Sequence, residues 1–212
     1  MQWLAMLTML IDHIGAVFFP QEHLLRIIGR LSFPLYVYLM VVGYHRTRSF
    51  KKYVMRIGLL ALISQLPYQF TFDVLRFNVI ATLLICLLTL KMLDMKKLPL
   101  TIRVLATIAG VVLLEWIPFD YGAYALVLML IYRYLSSTAM ITIHFIAEII
   151  FMVYNSWLVQ FFSMIITYVI AFKPNIIQLI SQWRTPSWLW RSFYPLHLAI
   201  LAFINYYIHL LD

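Results

Sequence analysis

The sequence predicts an all-α fold, a polytopic integral membrane helical bundle of about nine transmembrane helices, with a range of eight to ten. Three observations carry that expectation. Hydrophobic residues make up 64% of the 212 residues and charged residues only 11%, against roughly 45–50% and 25% in ordinary soluble domains. A soluble chain of this size keeps too much surface to hide so much apolar area, so lipid must be the solvent. The apolar residues also fall in runs near membrane-spanning length, separated by turn and charge punctuation. Finally, the basic residues gather in alternate links between those runs.

Taken in order, the runs place spans at 3–19, 24–43, 53–70, 77–94, 100–118, 121–135, 138–154, 157–172 and 193–211. The first has no basic start and no small-residue cleavage site, and it carries Asp12 and His13, so it reads as a span and not as a removable signal. The second contains Arg30 and Pro34 in GRLSFP. The run 121–135 is short for a ~30 Å hydrocarbon core. The stretch 173–192 mixes aromatic and basic residues, which suits a segment lying in the interface. There is no internal repeat, low-complexity tract or long polar linker, so residues 1–212 read as a single domain. Cys86 is the one cysteine, which rules out an intrachain disulfide.

Assigning alternate links to one side places thirteen of the sixteen basic residues together, among them Arg46, Arg48, Lys51, Lys52 and Arg56, and leaves Arg26, Arg30 and Arg76 opposite. The positive-inside rule then makes the N-terminus cytosolic and turns the C-terminal Asp212 outward. The formal charge of +8 therefore reports topology. No long basic amphipathic face exists, so no nucleic-acid partner is expected and the lipid bilayer is the expected surrounding.

A charge at mid-bilayer costs at least ~2.5–3.5 kcal/mol on insertion scales, so function is sought first at intramembrane ionisable residues. His13 lies ten residues from the start of its span, about 15 Å at the rise of an α-helix. Arg30 enters from the other side and reaches the level of Asp12, which predicts either a structural Asp12–Arg30 pair or a polar cavity holding His13. Pro34 leaves the Arg30 carbonyl without its helical donor, and a free carbonyl at that depth needs a partner or water. Asp12 and His13 point about 100° apart, so a third group must orient the ring; Glu115, Asn78 and Asp120 are the candidates. His197 stands four residues into the last run, about 6 Å deep, too shallow to touch His13 and placed to line an access path with Tyr194 near the cytosolic side. His144 and Glu148, at i and i+4, read as a satisfied structural pair. No paired-Cys, HExxH, GxSxG or phosphate-loop motif occurs, and no metal site is expected. The Arg46–Arg56 cluster suits the phosphates of an anionic cofactor, or topology alone.

Six motifs succeed one another through the chain: MLIDHIG, LRIIGRLSFPLY, GYHRTRSFKKY with Tyr44, RFNVIATLL with Asn78, FDYGAY with Asp120 and Tyr121, and FYPLHLAIL with Tyr194, Pro195 and His197. In these motifs the chain resembles the TraX family, whose named member is an inner-membrane pilin N-acetyltransferase, within a broader group of transmembrane acyltransferases. The resemblance implies a bacterial cytoplasmic-membrane enzyme that moves an acetyl group from cytosolic acetyl-CoA to an acceptor amine or hydroxyl in the membrane or at its outer face. Peptide, glycan, lipid and small-molecule acceptors all remain open. It implies His13 as the reacting histidine, acting either as general base or through a covalent acetyl-histidine, with Asp12 and with Arg30 or a hydroxyl stabilising the oxyanion. Acetyl-CoA would be held by Arg46, Arg48, Lys51, Lys52 and Tyr44, with its thioester arm passing His197. Asn78, Asp120, Tyr121 and Tyr194 would line or support the acceptor side. Related acyltransferases carry Arg or Lys eleven positions before the first-span histidine, where this chain has Gln2. The competing expectation is a small proton-coupled transporter or channel that uses the buried charges as a relay, although no paired broken helices occur in matching halves.

The charge split yields a direct test. Cysteines introduced as Ser49→Cys and Lys96→Cys are expected to resist an impermeant thiol reagent added to intact cells, and Gln21→Cys to react. Labelling of Ser49→Cys from outside reverses the orientation.

Overall fold

The computed structural model describes residues 1–211, without the side chains of His209 and Leu211; Asp212, and the outward orientation expected for it, lie outside the described residues. The fold is all-α, with no strand among the described residues. Its helices are α1 (Gln2–Phe18), α2 (His23–Gly29), α3 (Ser32–Arg46), α4 (Phe50–Phe72), α5 (Val79–Asp94), α6 (Leu100–Trp116), α7 (Gly122–Tyr134), α8 (Ser137–Asn155), α9 (Met164–Phe172), α10 (Pro174–Ser181) and α11 (Ser187–Leu211), with a 3₁₀ segment at Leu158–Ser163 ahead of α9. Two rods are long and apolar enough to cross a membrane, His23–Arg46 taken as one and Ser137–Asn155, and Leu158–Ser181 makes a third if its 97° bend is read as one broken span. α1 and α7 are apolar but shorter.

Every expected run is helical, but two are not the continuous helices expected and a third starts earlier than expected. The run 24–43 breaks after Gly29, and Pro34 stands in the first turn of α3, where a missing N–H costs nothing, not inside a helix that it kinks. The run 157–172 opens as a 3₁₀ helix, whose tighter winding turns Gln160 and Ser163 into the interior. The last helix starts at Ser187, six residues before the expected 193. That earlier start changes the depth of everything on it.

Close packing of α1 against α2 positions the site. A Cβ on Gly15 would meet Cβ of Leu25 at 2.7 Å, and one on Gly29 would overlap the Asp12 carboxylate. Two glycines thus bring the backbones near enough for Asp12 to reach along the neighbouring helix. α3 and α7 fill the centre, where Phe33, Val37, Tyr124, Leu128 and Met129 are buried. The links before α5 and α7 are tied by a short parallel bridge in which Phe77 N–H donates to the Pro118 carbonyl and Asp120 N–H to the Phe77 carbonyl. Asn78 caps α5 through the Ile80 and Ala81 N–H groups.

The glycine contact predicts that Gly29→Ala drives the Asp12 carboxylate off its partners and destabilises the detergent-solubilised protein by about 1–3 kcal/mol. Gly58→Ala, whose Cβ would find its nearest neighbour, Cδ2 of Leu84, at 3.7 Å, is expected to leave the unfolding temperature unchanged. Equal behaviour of the two variants removes the packing argument.

Candidate functional site

Asp12 is 7% exposed and accepts from two guanidinium groups: Arg30 Nη2 donates to both carboxylate oxygens at 2.7 Å, and Arg26 Nη1 lies 2.8 Å from Oδ1. The expected Asp12–Arg30 pair is present, and Arg26 makes it a triad. Arg26 was not expected as a site residue, although its i, i+4 spacing from Arg30 puts both on one face of the α2 turn. The remaining donors of Arg30 are also taken. Nε donates to the Arg26 carbonyl at 3.3 Å, and Nη1 to Gln160 Oε1 at 3.3 Å and Tyr121 Oη at 3.4 Å. A guanidinium has five N–H donors, and here all five are committed. Arg30 therefore has no free donor to offer a substrate oxygen.

Tyr121 does. Its hydroxyl accepts from Arg30, lines a cavity, and donates to no partner among the described residues. Its backbone is left-handed, at φ 64°, an uncommon conformation for a bulky side chain. The surroundings enforce it: Thr82 Oγ1 donates to the Asp120 carbonyl at 2.7 Å, Glu115 Oε1 accepts from Ala123 N–H at 2.9 Å, and the Tyr121 ring stacks on Phe33 at 3.7 Å. Strain held by several independent contacts marks residues whose direction matters.

The group beside His13 is His197. His13 Nδ1 lies 2.8 Å from His197 Nε2, with the rings 15° from coplanar. This corrects the expectation that His197 is too shallow. Counted from Ser187, it lies ten residues into its helix, about 15 Å, which is the depth of His13. The partners fix the tautomers. His197 Nδ1 is 2.6 Å from the Phe193 carbonyl, which can only accept, so Nδ1 carries the hydrogen and Nε2 of the neutral ring accepts. His13 Nδ1–H must then donate to it. The lone pair of His13 Nε2 has no partner among the described residues, and the residue lines the cavity.

The cavity encloses about 1420 Å³. Gln2, Met9, Asp12, His13 and Ala16 of α1 line it, a distance of about 21 Å along the helix. Arg46, Arg56, Arg184 and Arg191 line it with Met1 and Gln2, whereas Arg26, Arg76, Asp120 and Tyr121 line it with Ala16 and Arg30. Tyr194 is on its wall, with its ring 6.4 Å from that of His13. Other expected site residues lie elsewhere. Arg48 and Lys52 border a separate shallow groove at the start of α4. Lys51 is exposed, and Tyr44 packs on His45 and Phe50. Asn78 and Glu115, expected as candidates to orient His13, are spent capping α5 and α7. Among the described residues, no group of three or more His, Cys, Asp and Glu side chains could hold a metal ion.

The family model described as TraX protein matches residues 1–205. The chain belongs to the TraX family. No curated protein and no solved structure matches it. The six motifs through which the resemblance was drawn all lie within the matched region. In this TraX-family chain four of them converge: MLIDHIG, LRIIGRLSFPLY, FDYGAY and FYPLHLAIL supply Asp12 and His13, Arg26 and Arg30, Tyr121, and His197 to one site.

The triad predicts an asymmetric stability response. Asp12→Asn strands two arginines and is expected to cost about 3–5 kcal/mol, the usual penalty for breaking a buried pair. Arg30→Gln leaves Asp12 paired with Arg26 and is expected to cost less, and the double variant less than the sum. Equal, additive losses in thermal unfolding contradict the triad.

Proposed function

We propose that this TraX-family protein is an integral membrane acyltransferase that moves an acetyl group from acetyl-CoA, supplied from the cytosol, to an amine or hydroxyl acceptor in the membrane or at its outer face. The observation that carries the reading is the bare Nε2 of His13, held by His197 and the Phe193 carbonyl on the wall of a long charged cavity. Family membership supports it. On this reading the chain sits in a bacterial cytoplasmic membrane with about nine crossings and its N-terminus inside. The mouth beside Met1 then faces the cytosol, and Arg46, Arg56, Arg184 and Arg191 are the groups that would hold the phosphates of acetyl-CoA. They replace the Arg48, Lys51 and Lys52 expected from sequence.

His13 Nε2 takes the proton from the acceptor nitrogen or oxygen as that atom bonds to the thioester carbonyl carbon. The imidazolium that forms keeps its Nδ1–H donating to neutral His197. The C–S bond then breaks, and His13 returns the proton to the departing thiolate, so the cycle leaves no net proton. The Tyr121 hydroxyl, polarised by Arg30 Nη1, donates to the oxygen on which negative charge develops. Asp12 and Arg30 act by position: Asp12 holds Arg30, and Arg30 holds Tyr121.

Purified protein in lipid nanodiscs should release CoA thiol from acetyl-CoA when ethanolamine, which carries both an amine and a hydroxyl, is the probe acceptor. His13→Gln keeps a hydrogen-bonding group of similar reach and is expected to lower turnover by ~10²–10⁴, the usual cost of losing a general base. Tyr121→Phe is expected to lower it by ~10²–10³. Parent-like turnover in His13→Gln would remove His13 as the base.

A further inference from the structure

One buried polar cluster has no part in these proton transfers. His144, Glu148 and Ser163 are 0% exposed and Gln160 2%, and with Tyr124, Thr167 and Tyr132 they form a continuous hydrogen-bonded network between α7, α8, the 3₁₀ segment and α9. It begins at Arg30. Because a guanidinium only donates, the Gln160 amide must turn Oε1 to Arg30 and its NH₂ to Tyr124, whose Oη accepts at 3.4 Å. The Tyr124 proton then goes to Glu148 Oε1, 2.6 Å away.

The opposite end of the network points the same way. Tyr132 donates to Thr167 at 2.6 Å, Thr167 donates to His144 Nδ1 at 2.8 Å, and His144 Nε2–H faces Glu148 Oε1 at 3.1 Å. Ser163 also donates to Glu148 Oε1. With neutral His144 every hydroxyl proton has an acceptor, whereas an imidazolium would force Thr167 to accept from His144 and leave the Tyr132 or Thr167 proton without one. All arrows therefore end on Oε1 of Glu148, while its buried Oε2 has no partner among the described residues. Asp12 pairs with both arginines and Asp120 lines the same cavity beside them, so Glu148 bears on Arg30 through the two neutral side chains and not as its counter-charge.

We infer that Glu148, acting through Tyr124 and Gln160, is a positioning residue for Arg30 and so sets the direction of the Tyr121 hydroxyl. Its bearing on turnover rests on the proposed acyltransferase activity; its bearing on Arg30 does not. Hydrogen bonds linked in series polarise one another and hold their members more firmly than isolated pairs do. A small misplacement of a transition-state donor far from the change itself can cost on the order of 100-fold in rate.

Two measurements on the full chain in nanodiscs test this. In protein labelled with [¹⁵N]arginine, the side-chain signals of Arg30, identified by their loss in Arg30→Lys, are expected to shift in Glu148→Gln and in Tyr124→Phe. Signals unmoved in both variants overturn the inference, whatever the protein's activity. In the ethanolamine assay, Glu148→Gln is expected to lower kcat by about 10- to 100-fold with KM for acetyl-CoA within about twofold, since only a transition-state contact is lost. Introduced into Tyr121→Phe, the same change should lower kcat no further. An equal fall in both backgrounds would mean a smaller folded fraction and overturn the positioning role. Absence of thioester turnover in the parent chain would overturn the acyltransferase reading, and the Arg30 signals would still decide the relay.

Discussion

The structure depends first on the Asp12 carboxylate, a buried charge on α1 that must be paired where it stands. An isolated ion at that depth would cost several kcal/mol in desolvation, and removing one partner of such a pair leaves the other exposed to that cost. The chain meets the requirement with Arg26 and Arg30 from α2, and Gly29 between them makes room for the carboxylate. α2 ends at Gly29, between the two arginines, and α3 starts at Ser32.

Hydrogen-bond capacity then imposes a division of labour on the chemistry. Arg30 has spent all five donors and has none for a substrate oxygen, while Asp12 is held between two guanidinium groups. On the same cavity wall the Tyr121 hydroxyl and His13 Nε2 are each aimed by something behind them. Tyr121 is aimed by a left-handed backbone turn and by Arg30. His13 is aimed by His197, whose own proton is fixed by a carbonyl of its helix. Backing of this kind, in which reacting groups are held by others already satisfied, is what allows donors to sit ready for a charge that has not yet formed.

Much of the site was legible in the sequence because helical rise converts residue number into depth. The Asp12–Arg30 contact comes from that arithmetic alone, applied to two runs whose starts were placed within one residue. The same arithmetic failed for His197 only because its helix begins at Ser187 within a mixed aromatic and basic stretch that marks no clear boundary. Expected cofactor contacts divided for a different reason. The basic cluster around Arg46–Arg56 was evident, but whether a side chain faces the cavity depends on rotation about the helix axis, which turned Arg46 and Arg56 inward and Lys51 away. The Gln160–Tyr124–Ser163 set left no sequence signal, since single neutral polar residues in apolar runs are ordinary there.

By itself the sequence determined an all-helical chain, where its apolar runs lie, and the fact that its few buried charges must find one another, because hydropathy and the cost of desolvation are local properties of residues. Only the tertiary structure decided which groups meet: that His197 orients His13, that Asn78 and Glu115 cap helices, that Arg30 is saturated, and that Tyr121 retains a free proton. Those outcomes depend on helix starts, on rotation about helix axes, and on how many hydrogen bonds each group has already made, and all three are fixed only when the helices pack together.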